Sequence, residues 1–306
     1  MVRQPNISRR GALAIGVGAA GTLMSTAMGV ARAEDPADNQ RYAGYTPRDW
    51  AEPYARYMTG RTAPAPMVVV DAYTGPPSPA ERIPLFADLP ADLAPSGTSP
   101  VETGYGFTGD GAVWVAVRTE MPRVSAAMWD WWFGWHLAES ARYKLWHPDA
   151  HRYAEVAADR SGVAGPDRDR YVGNISYVDE YIGATLQQLA IAFRDPREHG
   201  FTVPDGHTIV FGRVGSSVFP VDLGWLAHQV RPIEGGCEMR SRFYLNLVAP
   251  RPPDPHHIAR AVQRGAAVDV GDLVPDLAMA RDLLMCGQEM NHLARFLPEL
   301  HAEFGR

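Results

Sequence analysis

Histidines and acidic residues recur in this sequence beside aromatic side chains, where they could hold a metal ion or move a proton. His147 and His151 lie four residues apart next to a tryptophan, and Glu180 interrupts an apolar run. Glu289 and His292 are three residues apart in a segment with helical spacing, so they share one helix face. Mixed His/Glu ligation with an open position is typical of catalytic zinc. From spacing alone, a metal site and a solvated pair of helix neighbours both stay open.

Two other histidines have simpler interpretations. His136 lies among tryptophans, where a hydrogen-bonded core histidine and a metal ligand both fit the pattern. His147 precedes Pro148, which is typical of a loop. The sequence contains no glycine-rich phosphate loop, no G-x-S-x-G string and no H-E-x-x-H string. Nucleotide chemistry and serine-nucleophile chemistry are therefore disfavoured.

The elements that must position these residues form a cluster of strands followed by a helix. Ser125 can cap a helix through residues 129–136, which is apolar nearly all round and should be buried. Residues 251–257 resemble a loop, and a long C-terminal helix is predicted over 274–297, ended by Pro298. Strands are predicted at 112–118, 172–182, 185–194, 208–213, 217–223 and 239–248. This order indicates an α+β fold.

The predicted strand at 239–248 shows the strictest alternation. One face carries Met239, Ser241, Phe243, Leu245 and Leu247, and the other carries Arg240, Arg242, Tyr244 and Asn246. Such alternation predicts a half-buried antiparallel strand with one polar face.

Composition limits the class of protein. The 306 residues include 29 Lys+Arg and 35 Asp+Glu, a net charge of −6, which argues against a general nucleic-acid binder. Two cysteines, Cys237 and Cys286, exclude a four-Cys zinc site and a disulfide-rich scaffold. Whether they pair or remain buried free thiols stays open.

The first 33 residues have the three parts of an export signal. Arg9 and Arg10 precede a weakly apolar run that ends in the A-x-A string of residues 31–33. The paired arginines predict export by the twin-arginine route, to the periplasm or the extracellular space, with no membrane association after cleavage. A retained membrane anchor is the alternative. Residues 34–102 are predicted to form an N-terminal arm and a Pro-rich linker or surface loop, and residues 103–306 the main domain.

The chemistry-bearing segments occur within longer strings that resemble the 2,4-diacetylphloroglucinol hydrolase family. The resemblance runs from about residue 100 to the C-terminus. The matching strings lie at Gly104–Gly106, Asp110–Gly111, Thr119–Pro122, Met128, Asp130–His136, Glu139–Ser140, Arg142–Pro148, His151, Val178–Gly183, Glu289–Met290, His292–Ala294 and Phe296–Pro298.

The resemblance implies a fold, an activity and a metal. The fold would be a helix grip of the plant-allergen type, in which a curved antiparallel sheet wraps a long C-terminal helix and encloses a cavity. The activity would be zinc-dependent hydrolysis of the C–C bond between an acyl group and a phenolic ring, or of a related 1,3-diketone. A small N-terminal part would serve in forming a homodimer.

The resemblance also implies particular site residues. His151, with His136 as the alternative, matches the first metal histidine, and Glu180 and Glu289 match the two carboxylates. Tyr143 matches a residue that contacts a substrate hydroxyl. His228 and Tyr244 lie where the family keeps pocket residues, and Tyr244 is on the polar strand face that would then line the cavity.

One position departs from the family pattern. The family pairs its last Glu with a His four residues earlier, and that position is Met285 here. A thioether is a poor zinc ligand beside carboxylate and imidazole. His292 could replace it from the other side of Glu289, three ligands could suffice, or the metal could be lost. In the last case the chain would be a non-catalytic exported helix-grip protein that binds small aromatic ligands, or a structural protein without a ligand.

Overall fold

The structure is a computed structural model that describes residues 44–265 and 274–305. The export signal predicted for residues 1–33 and the beginning of the predicted arm lie outside these ranges. By contacts, Arg41–Arg306 form one unit, which includes the described part of the arm. In the described ranges, no helix has the length and apolar character needed to cross a membrane.

The described residues contain one antiparallel sheet with the strand order β1-β2-β8-β7-β6-β5-β4-β3. Its strands are β1 Gly104–Phe107, β2 Val113–Pro122, β3 His151–Val156, β4 Ile175–Ile182, β5 Thr185–Arg194, β6 Thr208–Ser216, β7 Val221–Ile233 and β8 Gly236–Pro250. The strand predicted at 217–223 was misplaced. Residues 217–220 are a bend, and the long strand that follows them carries His228.

Short turns fix the register of this sheet. Ile182 pairs with Thr185 across a two-residue turn in which Gly183 has φ 62°, the left-handed conformation that glycine adopts without strain. A Cβ at position 183 would also collide with the Asp282 carboxylate. In this register Glu180 lies directly opposite His151 on the neighbouring strand.

Among the described residues, helices lie before β1, after β8, and in the connections from β2 to β3 and from β3 to β4. They are α1 Met67–Thr74, α2 Leu89–Asp92, α3 Ala126–His136, α4 Ser140–Trp146, α5 Arg168–Tyr171, α6 Pro255–Arg264, α7 Leu277–Asp282, α8 Cys286–Ala294 and α9 Leu297–Phe304. As predicted, the side chain of Ser125 caps α3 by accepting from the backbone N–H of Met128. Of the segment predicted as a loop at 251–257, residues 251–254 have no regular structure, whereas residues 255–257 begin α6, with Asp254 as its cap.

The C-terminal helix predicted over 274–297 is not continuous. A 3-10 turn at Leu283–Met285 separates α7 from α8. Pro298 lies in the first turn of α9, where a missing N–H breaks no helical hydrogen bond, so it begins a helix instead of ending one. Apolar periodicity continues through such a turn, which is why the sequence pattern did not reveal it.

The curved sheet wraps α8. A Cβ added to Gly287 would lie 2.8 Å from the Val117 side chain of β2, so the helix packs closely on that strand. Two residues later, Glu289 reaches His151 on β3 at the far edge of the sheet. One helix can contact strands near both edges only if the sheet curves around it. The predicted α+β helix-grip fold is confirmed.

The outer face of the sheet is covered by residues 83–102. Leu89 and Leu93 are fully buried against Trp114 of β2 and Tyr244 of β8. Arg240 and Arg242 of β8 are completely buried there and pair with carboxylates from the same segment. The prediction that β8 is half-buried was wrong, because its polar face meets polar partners from the N-terminal part of the chain instead of water.

Candidate functional site

The candidate site is centred on His151 at the start of β3. Its Nδ1 lies 2.9 Å from the backbone carbonyl oxygen of Tyr143. Because a carbonyl oxygen only accepts, Nδ1 carries the proton and Nε2 presents a lone pair. The tyrosine ring stacks on the imidazole at 3.7 Å and 5°. These two contacts fix both the orientation and the tautomer of His151.

Two glutamates from different elements meet the free nitrogen of His151. Glu289 Oε2, from α8, lies 3.1 Å from Nε2, and Glu180 Oε2, from β4, lies 3.4 Å from it. The Tyr143 hydroxyl donates a hydrogen bond to Glu180. The structure therefore brings four of the predicted site residues together: Tyr143, His151, Glu180 and Glu289.

Burial decides the charges in this group. It lowers the pKa of His151 to about 4 and raises the pKa of Glu289 to about 8. Burial also raises the pKa of Glu180, and burial with the neighbouring Glu180 raises that of Tyr143. Near neutral pH the His151–Glu289 contact is consequently a hydrogen bond to a neutral imidazole rather than an ion pair. The Tyr143 hydroxyl keeps its proton and acts as a donor.

The donor chemistry of this group fits zinc. Its atoms are one imidazole lone pair, held by a carbonyl on the other nitrogen, and two carboxylates. The separations of 3.1 and 3.4 Å are close to the roughly 3.3 Å expected between two ligand atoms around a tetrahedral zinc. As the side chains lie, no three His, Cys, Asp or Glu residues in 44–265 and 274–305 complete a metal site. The His151 group therefore fits zinc in the types of its donor atoms and in these two distances.

A second set of polar side chains extends the group across the interior. The thiol of Cys286, at the first position of α8, lies beside Glu289 and Ser241. Burial and the Glu289 carboxylate raise the pKa of this thiol, whereas its hydrogen bond with Ser241 acts in the opposite direction. Ser241 Oγ is in turn 2.8 Å from His228 Nδ1 on β7. His228 thus faces the same side of the sheet as α8. Cys286 and Ser241 were not predicted, although the i,i+3 spacing of Cys286 and Glu289 was a usable signal.

His292 is oriented away from the His151 group. Its Nδ1 accepts a hydrogen bond from the Ala63 backbone N–H at 3.0 Å, and its Nε2 is 3.3 Å from Thr59 Oγ1. Both ring nitrogens are therefore engaged by the N-terminal segment. The structure does not support the prediction that His292 takes the place of the missing ligand. Met285, at the position where the family pattern has a histidine, lies in the 3-10 turn with its side chain partly exposed.

Tyr244 lies on the opposite side of the sheet. Its hydroxyl donates to the Pro84 carbonyl oxygen at 3.0 Å, and its ring contacts Phe86. The prediction that it lines the site was wrong, because the polar face of β8 is the outer face. The apolar face, which carries Ser241 and Phe243, is the one that meets α8.

Both cysteines are buried free thiols in the described structure. Cys237 lies near the Met121 carbonyl, whereas Cys286 lies beside Glu289. Cys237 and Cys286, whose pairing the sequence left open, therefore do not form a disulfide in this structure.

Buried neutral histidines should make the protein sensitive to acid. Burial lowers the pKa of His228 to about 4, whereas an unfolded histidine titrates near 6.5. Below pH 6.5 the unfolded chain binds a proton that the folded chain does not, so stability falls as the pH falls from about 6.5 to about 4. The His228→Gln variant is expected to flatten this dependence by up to about 1.4 kcal/mol per pH unit. Urea unfolding at pH 7, 6 and 5 gives the free energy of unfolding at each pH. If this free energy changed equally with pH in both proteins, the prediction would be contradicted.

Comparisons with known proteins found related sequences that cover most of this chain. Phloretin hydrolase of Eubacterium ramulus is 28% identical over 258 residues, 82% of this chain and 89% of that protein. The 2,4-diacetylphloroglucinol hydrolases of Pseudomonas sp and Pseudomonas protegens are each 28% identical over 270 residues, 83% of this chain and 89% and 85% of theirs. A crystal structure of Ara h 8.0201 matches 58% of this chain and 98% of that one, with 8% identity and a TM-score of 0.29.

The family assignment follows from the extent of the sequence match. The profile described as the DAPG hydrolase PhiG domain matches residues 83–302, well over half of the chain. The match includes all of the sheet, the His151 group and the segment that covers the outer face. The chain therefore belongs to the DAPG hydrolase family, a family of hydrolases.

Proposed function

We propose that this protein hydrolyses the C–C bond between an acyl group and a phloroglucinol-like ring. The observation that carries the proposal is the convergence of Tyr143, His151, Glu180 and Glu289 from four different elements. Phloretin and 2,4-diacetylphloroglucinol, after which the relatives are named, both carry an acyl group on a trihydroxylated ring. The same class of substrate is proposed for this chain.

The chemistry needs a water molecule and a leaving ring. The water oxygen bonds to the acyl carbon, and the bond from that carbon to the ring breaks. The electron pair passes to the ring carbon, where the neighbouring ring oxygens stabilise it. The ring carbon then takes a proton, so that a carboxylic acid and the deacylated phenol result. The protein has to orient the ring, stabilise charge on the acyl oxygen and supply the proton.

His151, Glu180 and Glu289 would hold a zinc ion. The ion would polarise the acyl carbonyl and lower the pKa of water at the site. The stacked Tyr143 ring and the Tyr143 carbonyl fix the orientation of the His151 imidazole. Metal binding would therefore require little rearrangement of this side chain.

The remaining residues would bind and orient the substrate. Tyr143 keeps its phenolic proton and can accept a hydrogen bond from a ring hydroxyl while it donates to Glu180. His228, fixed by Ser241, supplies a second polar contact on the inner face. Aromatic side chains of α3 and α4 supply an apolar surface for the ring. Twin-arginine export and a homodimer through the N-terminal part complete the proposal.

A non-catalytic binding protein is the second candidate. Met285 favours it, since the residue that would supply a fourth ligand is a partly exposed thioether. Such a protein would bind acylated phenols without converting them.

Elemental analysis of the purified protein separates the two candidates. The proposal predicts about one zinc per chain and the release of acetate from 2,4-diacetylphloroglucinol, with loss of turnover after chelation and recovery on adding zinc. Undiminished turnover by metal-free protein would rule out the zinc part of the proposal. Binding without any release of acetate would favour the second candidate.

A further inference from the structure

An aromatic cluster next to the His151 group contains buried polar atoms without partners. The cluster consists of Trp129, Trp132, Phe133, His136 and Trp146. Over the part of the chain that the structure describes, Nε2 of His136 and the indole nitrogens of all three tryptophans are buried and have no hydrogen-bond partner. Buried polar groups in folded proteins are nearly always paired, so these four atoms have the capacity to form hydrogen bonds with a polar molecule.

His136 is the acceptor of this cluster. Its Nδ1 lies 2.6 Å from the backbone carbonyl oxygen of Trp132 and therefore carries the proton, which leaves a lone pair on Nε2. His151 has the same tautomer for the same reason, with a carbonyl at Nδ1. The two imidazoles differ in what Nε2 meets. That of His151 meets two carboxylates, and that of His136 meets no described polar atom.

The rings connect His136 to the proposed reaction centre. His136 is parallel to Trp132 at 4.6 Å and 13°, and lies at 6.0 Å and 17° from Tyr143, which stacks on His151. Trp146 contacts both imidazoles, with centroids 5.3 Å from His136 and 5.6 Å from His151. Tyr143 and Trp146 therefore link His136 to the His151 group through direct aromatic contacts.

The chemistry of the unpartnered atoms defines the ligand. Nε2 of His136 needs a donor, and the indole N–H groups need acceptors. A hydroxyl on an aromatic ring meets both needs, because it can donate to the imidazole and accept from an indole, while the ring itself packs among aromatic side chains. A methyl ether retains the acceptor and lacks the donor.

We propose that Nε2 of His136 accepts a hydrogen bond from a ring hydroxyl of the substrate, and that this contact selects free phenols over their ethers. This inference rests on the proposed function. His136 is a specificity residue in this role, and it neither holds the metal nor takes part in bond cleavage.

Calorimetric titration of the purified protein with two probes tests the inference. The probes are phloroglucinol and its trimethyl ether, 1,3,5-trimethoxybenzene. His136→Phe keeps an aromatic ring against Trp132 and removes the acceptor, and His136→Gln restores an acceptor oxygen. His257→Phe is the matched control, because His257 also stacks on an aromatic ring, that of Tyr177 at 3.9 Å, outside the cluster.

The expected result is a loss of discrimination. His136→Phe should weaken phloroglucinol binding roughly tenfold, because a buried hydroxyl loses its acceptor, and should change trimethoxybenzene binding less than twofold. His136→Gln should recover part of the loss, and His257→Phe should bind both probes like the unchanged protein.

Three other results would overturn the inference in distinguishable ways. If the unchanged protein cleaves acylated phenols and His136→Phe binds phloroglucinol equally well, the role of His136 is wrong and the proposed function stands. If the unchanged protein binds neither probe and cleaves no acylated phenol, the role of His136 and the proposed function are both wrong. An equal loss for both probes would show that His136 acts through packing alone.

Discussion

Glu289→Gln is expected to lower the rate of acyl–ring cleavage at least about a thousandfold. The substitution keeps the shape of the side chain and removes the carboxylate that lies 3.1 Å from His151 Nε2. A metal ligand that supports several kcal/mol of transition-state stabilisation controls the rate tenfold for every 1.36 kcal/mol. The measurements are acetate release from 2,4-diacetylphloroglucinol and zinc content of the same preparation.

The stability of Glu289→Gln distinguishes a lost ligand from a damaged fold. Burial raises the pKa of Glu289 from its usual 4.5 to about 8, so the free energy of unfolding falls as the pH rises from about 4.5 to about 8, and at pH 9 the full cost of the buried charge is present. The neutral amide avoids that cost, and the thermal midpoint of the metal-free protein should stay the same or rise at pH 9. An inactive variant with a lower midpoint would point to misfolding instead.

Glu299→Gln is the matched control. Glu299 lies ten residues further along, in α9, where its half-exposed side chain pairs with Arg123. Exposed pairs contribute between 0 and about 1 kcal/mol, so this variant should retain both its zinc and its activity. Full activity in Glu289→Gln, or an equal loss in Glu299→Gln, would contradict the assignment of Glu289.

The residues of the His151 group were predictable because they occur in continuous strings. The string around Tyr143 and the strings that contain Glu180 and Glu289 could be matched without knowing the fold. Their meeting point depends on the register of β3 and β4 and on the curvature of the sheet, which bring Glu180 and α8 to the same imidazole. These are long-range features that no local pattern contains.

Tyr244 and His292 show where sequence reasoning stops. Alternation on β8 separated two faces correctly, but which face meets the helix depends on Asp92 and Glu102, more than a hundred residues earlier. His292 shares a helix with Glu289, yet its ring meets the backbone of Ala63. In both cases a partner from the N-terminal segment decides the role of the side chain.

Asp92→Asn is expected to destabilise the fold strongly, although the substitution is conservative in shape. Asp92 Oδ2 accepts from Arg242 Nε at 2.7 Å, and Oδ1 lies 3.7 Å from Arg240 Nη2. Both guanidinium groups are completely buried, and Asp92 itself is 2% exposed. Glu102 also pairs with both arginines, with a pKa of about 2 because the two guanidinium groups outweigh the effect of burial.

The expected loss for Asp92→Asn is about 3 kcal/mol in the free energy of unfolding, because it leaves two buried positive charges with one carboxylate. Urea denaturation at pH 7 measures it. Asp88→Asn is the control, since Asp88 lies on the same segment and is exposed, and it should change stability by less than about 0.5 kcal/mol. A loss below about 1 kcal/mol for Asp92→Asn would show that Glu102 alone compensates both arginines.

Because the network lies on the face opposite His151, folded Asp92→Asn protein should keep its zinc content, which separates the stability of the sheet from the chemistry of the site.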